Sequence, residues 1–134
     1  CCRGEVSKAD LLREYNYSLF LAPHPNVVET YECLYESGEA WWFVQELAPA
    51  GSLRTLMETH SGSLPEALAH HFILQAISGL SFLHDEGLVY RELCAENCLL
   101  FPSSSLAAQS SDFRASMDMM RLKLSDFRLT RKVD

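Results

Sequence analysis

No apolar run in this chain approaches the roughly 18 residues a membrane-crossing helix requires, and the N-terminus lacks the basic-then-apolar pattern of a secretory leader. A cytoplasmic chain is therefore expected. Paired cysteines are lacking too. Cys1, Cys2, Cys33, Cys94 and Cys98 are an odd number with no CxxC spacing, which resembles neither a disulfide framework nor a zinc site. Cys94 and Cys98 would share a face only in a helix, and Asn97 beside them reads as loop, so reduced thiols are expected. Basic residues are scarce, with Lys+Arg 11 against Asp+Glu 18 and a net charge of -7. The few cations are scattered, which speaks against phosphate backbones and anionic membranes as partners.

What is present is an ordinary globular composition. With 134 residues, 48% of them hydrophobic and 22% charged, the chain is one domain's worth of protein, long enough to bury about two thirds of its unfolded surface. Its first residue is Cys and not Met, so a processed, cut or incomplete chain is expected.

Leu11, Leu12, Tyr15, Leu19 and Phe20 recur at helical spacing over residues 7 to 20, with Ser7 as N-cap ahead of Asp10. Pro23-His24-Pro25-Asn26 ends that helix, because each proline biases the residue before it away from helical geometry. Val27 to Tyr35 and Ala40 to Leu47, separated by Glu36-Ser37-Gly38-Glu39, read as a β-hairpin. Trp41 and Trp42 alternate across the second strand, one toward the core and one away from it. Ser52 caps a short helix over Leu53 to Glu58. Ser63 and Glu66 make a capping box with Pro65 in the first turn of a long helix reaching Gly87, with Leu68, Phe72, Ala76, Leu80 and Leu83 on one face. Of His70 and His71 on that helix, one is expected exposed and the other half-buried, and His84 reads as a structural residue. Short strands are expected at Leu88 to Tyr90, Cys98 to Phe101 and Leu122 to Ser125. Six serines dilute the stretch Pro102 to Met119, which reads as a surface insertion.

Two stretches carry chemistry. Tyr90-Arg91-Glu92-Leu93-Cys94-Ala95-Glu96-Asn97 follows a long helix and a short strand, and Asp126-Phe127-Arg128 follows a strand after the insertion. This order resembles the protein-kinase catalytic loop H-R-D-x-x-x-x-N followed by D-F-G. Glu14 in a preceding helix, His24-Pro25-Asn26, the Gln45-Glu46 to Gly51 hinge and Leu83-His84 extend the likeness over nearly the whole chain. It is nearest to the SH3-domain-binding serine/threonine kinases, through Gln45-Glu46-Leu47-Ala48-Pro49-Ala50-Gly51 and Leu124-Ser125-Asp126-Phe127-Arg128-Leu129-Thr130-Arg131.

The resemblance implies an α+β, protein-kinase-like fold that is incomplete: residues 1–47 as the end of the N-lobe from its αC-like helix to the hinge, and 48–134 as the first part of the helical C-lobe, with the Ser-rich insertion at about 102–119. A glycine-rich loop, a β-strand Lys and an A-P-E segment are not among these residues. It also implies ATP and Mg2+ as cofactors, with Asp126 and Asn97 as metal ligands, Glu92 at the position of the catalytic base and Arg91 in a structural role. Backbone groups of Glu46 and Ala48 would meet adenine, Gln45 would be the gatekeeper, Leu99 the adenine floor, and Ser52 would fall at the ribose position. Glu14, Phe127 and Tyr90 would be regulatory, with Ser18 and Thr30 as two polar members of the regulatory stack. Protein substrates or partners, SH3-domain proteins among them, would follow.

The departures matter more than the matches. Glu92 carries one methylene more than the usual Asp, a displacement of roughly 1 Å that costs about 10²-fold if nothing adjusts. Cys94 removes the Lys that helps neutralise the γ-phosphate. Arg128 replaces the flexible Gly and offers Asp126 a guanidinium in competition with magnesium. The expectation is a catalytically impaired, binding or scaffolding pseudokinase; the alternative is part of an active ATP-dependent kinase using Glu92 as a slow base. The Arg128, Arg131 and Lys132 cluster, taken by itself, reads as a solvated loop.

Overall fold

In the computed structural model, which describes residues 7–38, 40–103 and 119–133, Ser7 opens helix α1 (Lys8–Leu21) with a reciprocal capping box: its hydroxyl accepts from Asp10 N–H at 3.2 Å while Asp10 accepts from Ser7 N–H at 3.3 Å. Ala22 closes the helix just before Pro23, as the proline requires. The hairpin is β1 (Thr30–Ser37) against β2 (Ala40–Gln45), antiparallel, with an irregularity between Thr30 and Leu34. Residues 27–29 lie outside the ladder expected for them. Val27 bridges Leu124 in parallel and Val28 N–H reaches Leu124 O at 3.0 Å, so this stretch is drawn to a later strand instead of extending the hairpin. Trp42 is 60% exposed and Trp41 half-buried, as the alternation requires, and Tyr15 of α1 packs on Phe43 at a ring separation of 5.7 Å.

Ser52 caps α2 (Leu53–Thr59) through Thr55 N–H at 3.2 Å. The long helix α3 (Glu66–Asp85) starts without the expected capping box: Pro65 is the N-cap, no side chain caps the end, and Pro65 O accepts from Leu68 and Ala69 N–H. Proline fixes its own φ and donates nothing, so the helix begins after it and Ser63 lies too far upstream. One face of α3 is buried through Leu68, Phe72, Gly79 and Leu83, while Ile73, Leu74 and Ile77 are about half exposed. His70 is exposed and His71 half-buried; His84 is exposed.

Three short strands follow α3 and precede β6 (Arg131–Lys132): β3 (Leu88–Val89), β4 (Cys98–Pro102) and β5 (Met120–Leu124). β4 pairs antiparallel with β5, and β3 with β6. Most of the expected insertion, residues 104–118, lies outside the described residues. Gln75 of α3 serves β5 as a neighbouring strand would, accepting from Leu122 N–H at 2.8 Å and donating to Met120 O at 3.1 Å, while Asn26 donates to Leu122 O at 2.8 Å. Gly79 has to be small for this packing: a Cβ there would sit 3.0 Å from Leu124 Cδ1 and 3.1 Å from Asn26 O. The core joins Leu21, Val27, Phe72, Leu83, Tyr90, Leu100, Leu122, Leu124 and Phe127 in one cluster. No helix among the described residues is long and apolar enough to cross a membrane.

Candidate functional site

Two loops are held together by backbone chemistry. In the Tyr90–Asn97 loop, Asn97 Nδ2 donates to Glu92 O at 3.1 Å, and Asn97 O in turn accepts from both the N–H and the hydroxyl of Ser125 at 3.0 Å. Tyr90 donates its hydroxyl to Ser125 O, and burial drives that phenol's pKa far above its ordinary value. Thr130 donates to Tyr90 O at 3.4 Å. Asp126 therefore emerges from β5 next to the loop that carries Glu92 and Asn97. Arg91 and Asp126 both sit in the left-handed region, at φ 70 and φ 60. Such geometry costs a side-chain-bearing residue about 1–3 kcal/mol and persists only where the surroundings enforce it.

Arg128 occupies Asp126 from two sides: Nε reaches Oδ1 at 2.6 Å and Nη2 reaches Oδ2 at 2.5 Å. The pair is about one fifth exposed, and a bidentate guanidinium–carboxylate fork of this kind is among the stronger polar contacts available. The solvated-loop reading of the Arg128, Arg131 and Lys132 cluster is corrected here. Arg128 is committed to Asp126, Arg131 donates to Arg128 O at 3.1 Å, Arg13 of α1 approaches the same carbonyl at 3.4 Å, and Lys132 lies in β6.

Glu14 faces this cluster from α1. Burial, reinforced by the charges of Asp126 and Glu92 and opposed by Arg128, pushes its pKa from 4.5 up to about 7. The folded chain thus holds the Glu14 proton more tightly than the unfolded one, so this group's contribution to stability is fully present below pH 4.5 and is lost as pH rises through 7. Replacing Glu14 with Gln is expected to flatten that decline by up to about 3 kcal/mol between pH 4.5 and 8, read from urea denaturation at the two values. Glu92 Oε2 is buried and has no hydrogen-bond partner, an unusual state for a carboxylate oxygen.

At the hinge, Glu46 N–H donates to Glu29 O at 3.0 Å and Ala48 O accepts from Gly51 N–H at 3.2 Å. Leu47 between them is 88% exposed. Gln45 donates to Thr30 Oγ1 at 3.0 Å and Ser18 Oγ at 3.5 Å, and both hydroxyl residues are buried. The polar members expected in the regulatory stack are thereby satisfied by the gatekeeper-position amide and do not stand as bare gaps. Below them Phe127, fully buried, meets Tyr90 at a ring separation of 5.4 Å. Leu99 is half-buried and bridges Ser52, whose hydroxyl is engaged as the α2 cap and with Thr55 Oγ1 at 3.1 Å. Burial, with a smaller contribution from Cys94, pushes the Cys98 thiol up to about 11, so it stays protonated. An apolar cavity of about 320 Å³ is lined by Leu53, Met57, Phe72, Ile73, Cys94 and Cys98 and takes in none of the charged groups of the acidic cluster. No cluster of three or more metal-ligating side chains occurs among the described residues.

The structure thus brings Glu14, Glu92, Asn97, Asp126, Phe127, Tyr90 and Arg128 together, with Gln45 and Glu46 on an adjoining wall. Sequence reasoning missed Lys123, which pairs with the Glu46 carboxylate. In Met120-Arg121-Leu122-Lys123-Leu124 the alternation marks both basic residues as solvent-facing, so no local signal distinguishes Lys123.

The family model for protein tyrosine and serine/threonine kinases matches residues 3–134. The chain belongs to the protein kinase family, and its mixed helices and small antiparallel sheets are a partial kinase fold. It is 41% identical over 98% of its length to a Caenorhabditis elegans protein named as a serine/threonine-protein kinase, C01C4.3, covering 30% of that protein. It is also similar to the serine/threonine-protein kinase SBK1 of Danio rerio, at 34% identity over 90% of the chain and 28% of the relative, and to SBK1 of Mus musculus, at 32% over 98% and 28%. The chain therefore spans under a third of the length of these relatives.

Proposed function

We propose that this chain is the central part of a serine/threonine-kinase-like domain that acts by binding or scaffolding protein partners, with phosphotransfer impaired. The observation that carries the reading is the Arg128 fork on both oxygens of Asp126. Residues 1–47 would be the N-lobe portion and 48–134 the C-lobe portion. Asp126 and Asn97 have oxygen donors of the kind a hard cation prefers. As they stand the two differ in their fit to a magnesium ion: both oxygens of Asp126 are engaged by the Arg128 guanidinium, which opposes a cation there, whereas Asn97 donates through Nδ2 to Glu92 O and would still have Oδ1 to offer. Glu92, at the base position, would act only with that site rebuilt.

Base recognition keeps more support. With Glu46 N–H and Ala48 C=O already engaged, the groups left to a ligand are the Glu46 carbonyl and Ala48 N–H, an acceptor and a donor two residues apart, above Leu99. Gln45 walls the back; Ser52, held as a helix cap, has little to give a ribose. Glu14, Tyr90 and Phe127 would set the regulatory geometry. SH3-domain proteins are the partners the family resemblance points to.

Thermal shift on the full-length protein tests this. ATP without a divalent cation is expected to raise Tm as much as ATP with magnesium. A clearly larger shift with magnesium, accompanied by phosphate transfer to a generic protein substrate above a Glu92→Ala control, would support the active-kinase reading in its place.

A further inference from the structure

The hinge residues have little to fix them sideways. β2 ends at Gln45 and Leu47 stands 88% exposed, so the backbone of the 46–48 stretch is held by the Glu46 N–H bond to Glu29 O and the Ala48 O bond from Gly51 N–H, with little core packing beside them. One carboxylate adds a further tie. Glu46 Oε1 accepts from Glu29 N–H at 2.7 Å and pairs with the Lys123 ammonium, and the two side chains are only 14% and 17% exposed. Lys123 lies in β5 directly across from Leu99, three residues before Asp126, with its ammonium 4.7 Å from the centre of the Phe101 ring. A single oxygen thereby joins the hinge, the segment leading into β1, and the strand that delivers Asp126.

We infer that Lys123 is a positioning residue for base recognition, holding the Glu46–Ala48 segment at a fixed height above Leu99 through the Glu46 side chain. The inference rests on the reading of that segment as the base-binding edge. A half-buried ion pair is weakly screened, so removing the ammonium leaves Glu46 with its side-chain and backbone contacts to Glu29 alone, unlinks it from β5 and loosens the hinge. A ligand must then order the hinge as it binds, which lowers affinity without touching the ligand.

The test uses the full-length protein and adenosine, a probe with neither phosphate nor metal, so that the Arg128–Asp126 pair does not enter. Lys123→Met is expected to raise the adenosine Kd about tenfold and to speed hydrogen exchange at the hydrogen-bonded Glu29 and Glu46 amides by a similar factor, while α3 amides keep their protection. Lys123→Arg should restore both. If Lys123→Met fails to fold, Glu46→Gln serves instead: it keeps an acceptor for Glu29 N–H, loses the charge, and should give the same changes in weaker form. Should the parent bind no adenosine, the base-binding reading fails and the exchange arm alone decides. Unchanged exchange at the Glu29 and Glu46 amides in the variant overturns the inference in either case, as does faster exchange spread evenly over α3.

Discussion

Restoring Glu92→Asp, Cys94→Lys and Arg128→Gly together in the full-length protein is expected to raise phosphotransfer by at least about 10²-fold, more than the three single changes combined. Arg128→Gly releases both oxygens of Asp126 from the guanidinium fork. By itself it leaves an uncompensated acidic cluster of Glu14, Glu92 and Asp126, whose charges already add to burial in lifting Glu14 to about 7. Cys94→Lys adds a cation to the same loop, and Glu92→Asp withdraws the carboxylate by about the 1 Å its extra methylene supplies. Each change is of little use until the others are made, because base, charge and metal-facing carboxylate act as a unit. A steady-state assay with radiolabelled ATP measures the gain. If the triple variant does no better than its best single member, something outside these three positions limits the parent.

The second large effect concerns stability. Phe127 is fully buried, and its ring meets Tyr90 at 5.4 Å with the planes inclined by 53°. Phe127→Ala removes a fully buried aromatic side chain from the core cluster. A loss of about 3–5 kcal/mol is expected, a large share of the 5–15 kcal/mol typical of a domain. The urea midpoint should fall with an unchanged slope. Tyr90→Phe is the control: it keeps the ring contact and deletes only the hydrogen bond to Ser125 O, so about 0.5–1.5 kcal/mol is expected. A Phe127→Ala cost no greater than that of Tyr90→Phe would mean that the two rings contribute little to holding the loops together.

Local chemistry was legible in the sequence and long-range pairing was not. The Ser7 N-cap, the Ser52 cap and the Trp41–Trp42 alternation depend on residues at most three apart, and each is found as expected. The competition of Arg128 for Asp126 was legible for the same reason, since the two are separated by one residue. The start of α3 was misjudged because Ser63 and Glu66 match the capping box in spacing while Pro65 between them takes the N-cap position. Val27 and Val28 read as part of the hairpin strand because two apolar β-branched residues say nothing of Leu124, which engages them. The contacts of Gln45 with Thr30 and Ser18, and of Lys123 with Glu46, link residues 15 to 77 positions apart. A pattern of polar residues on solvent-facing positions gives no hint that two of them meet at a hinge.

The central claim is that the metal-facing carboxylate is held by the chain's own guanidinium, and the most direct measurement is magnesium titration of the full-length protein with ATP present, by calorimetry, beside its Arg128→Gly variant. The account predicts that the parent adds no magnesium-dependent heat beyond that of a protein-free titration of magnesium into ATP, and that the variant adds a saturable heat above it. Equal, saturable heats above the protein-free titration from both proteins would contradict it.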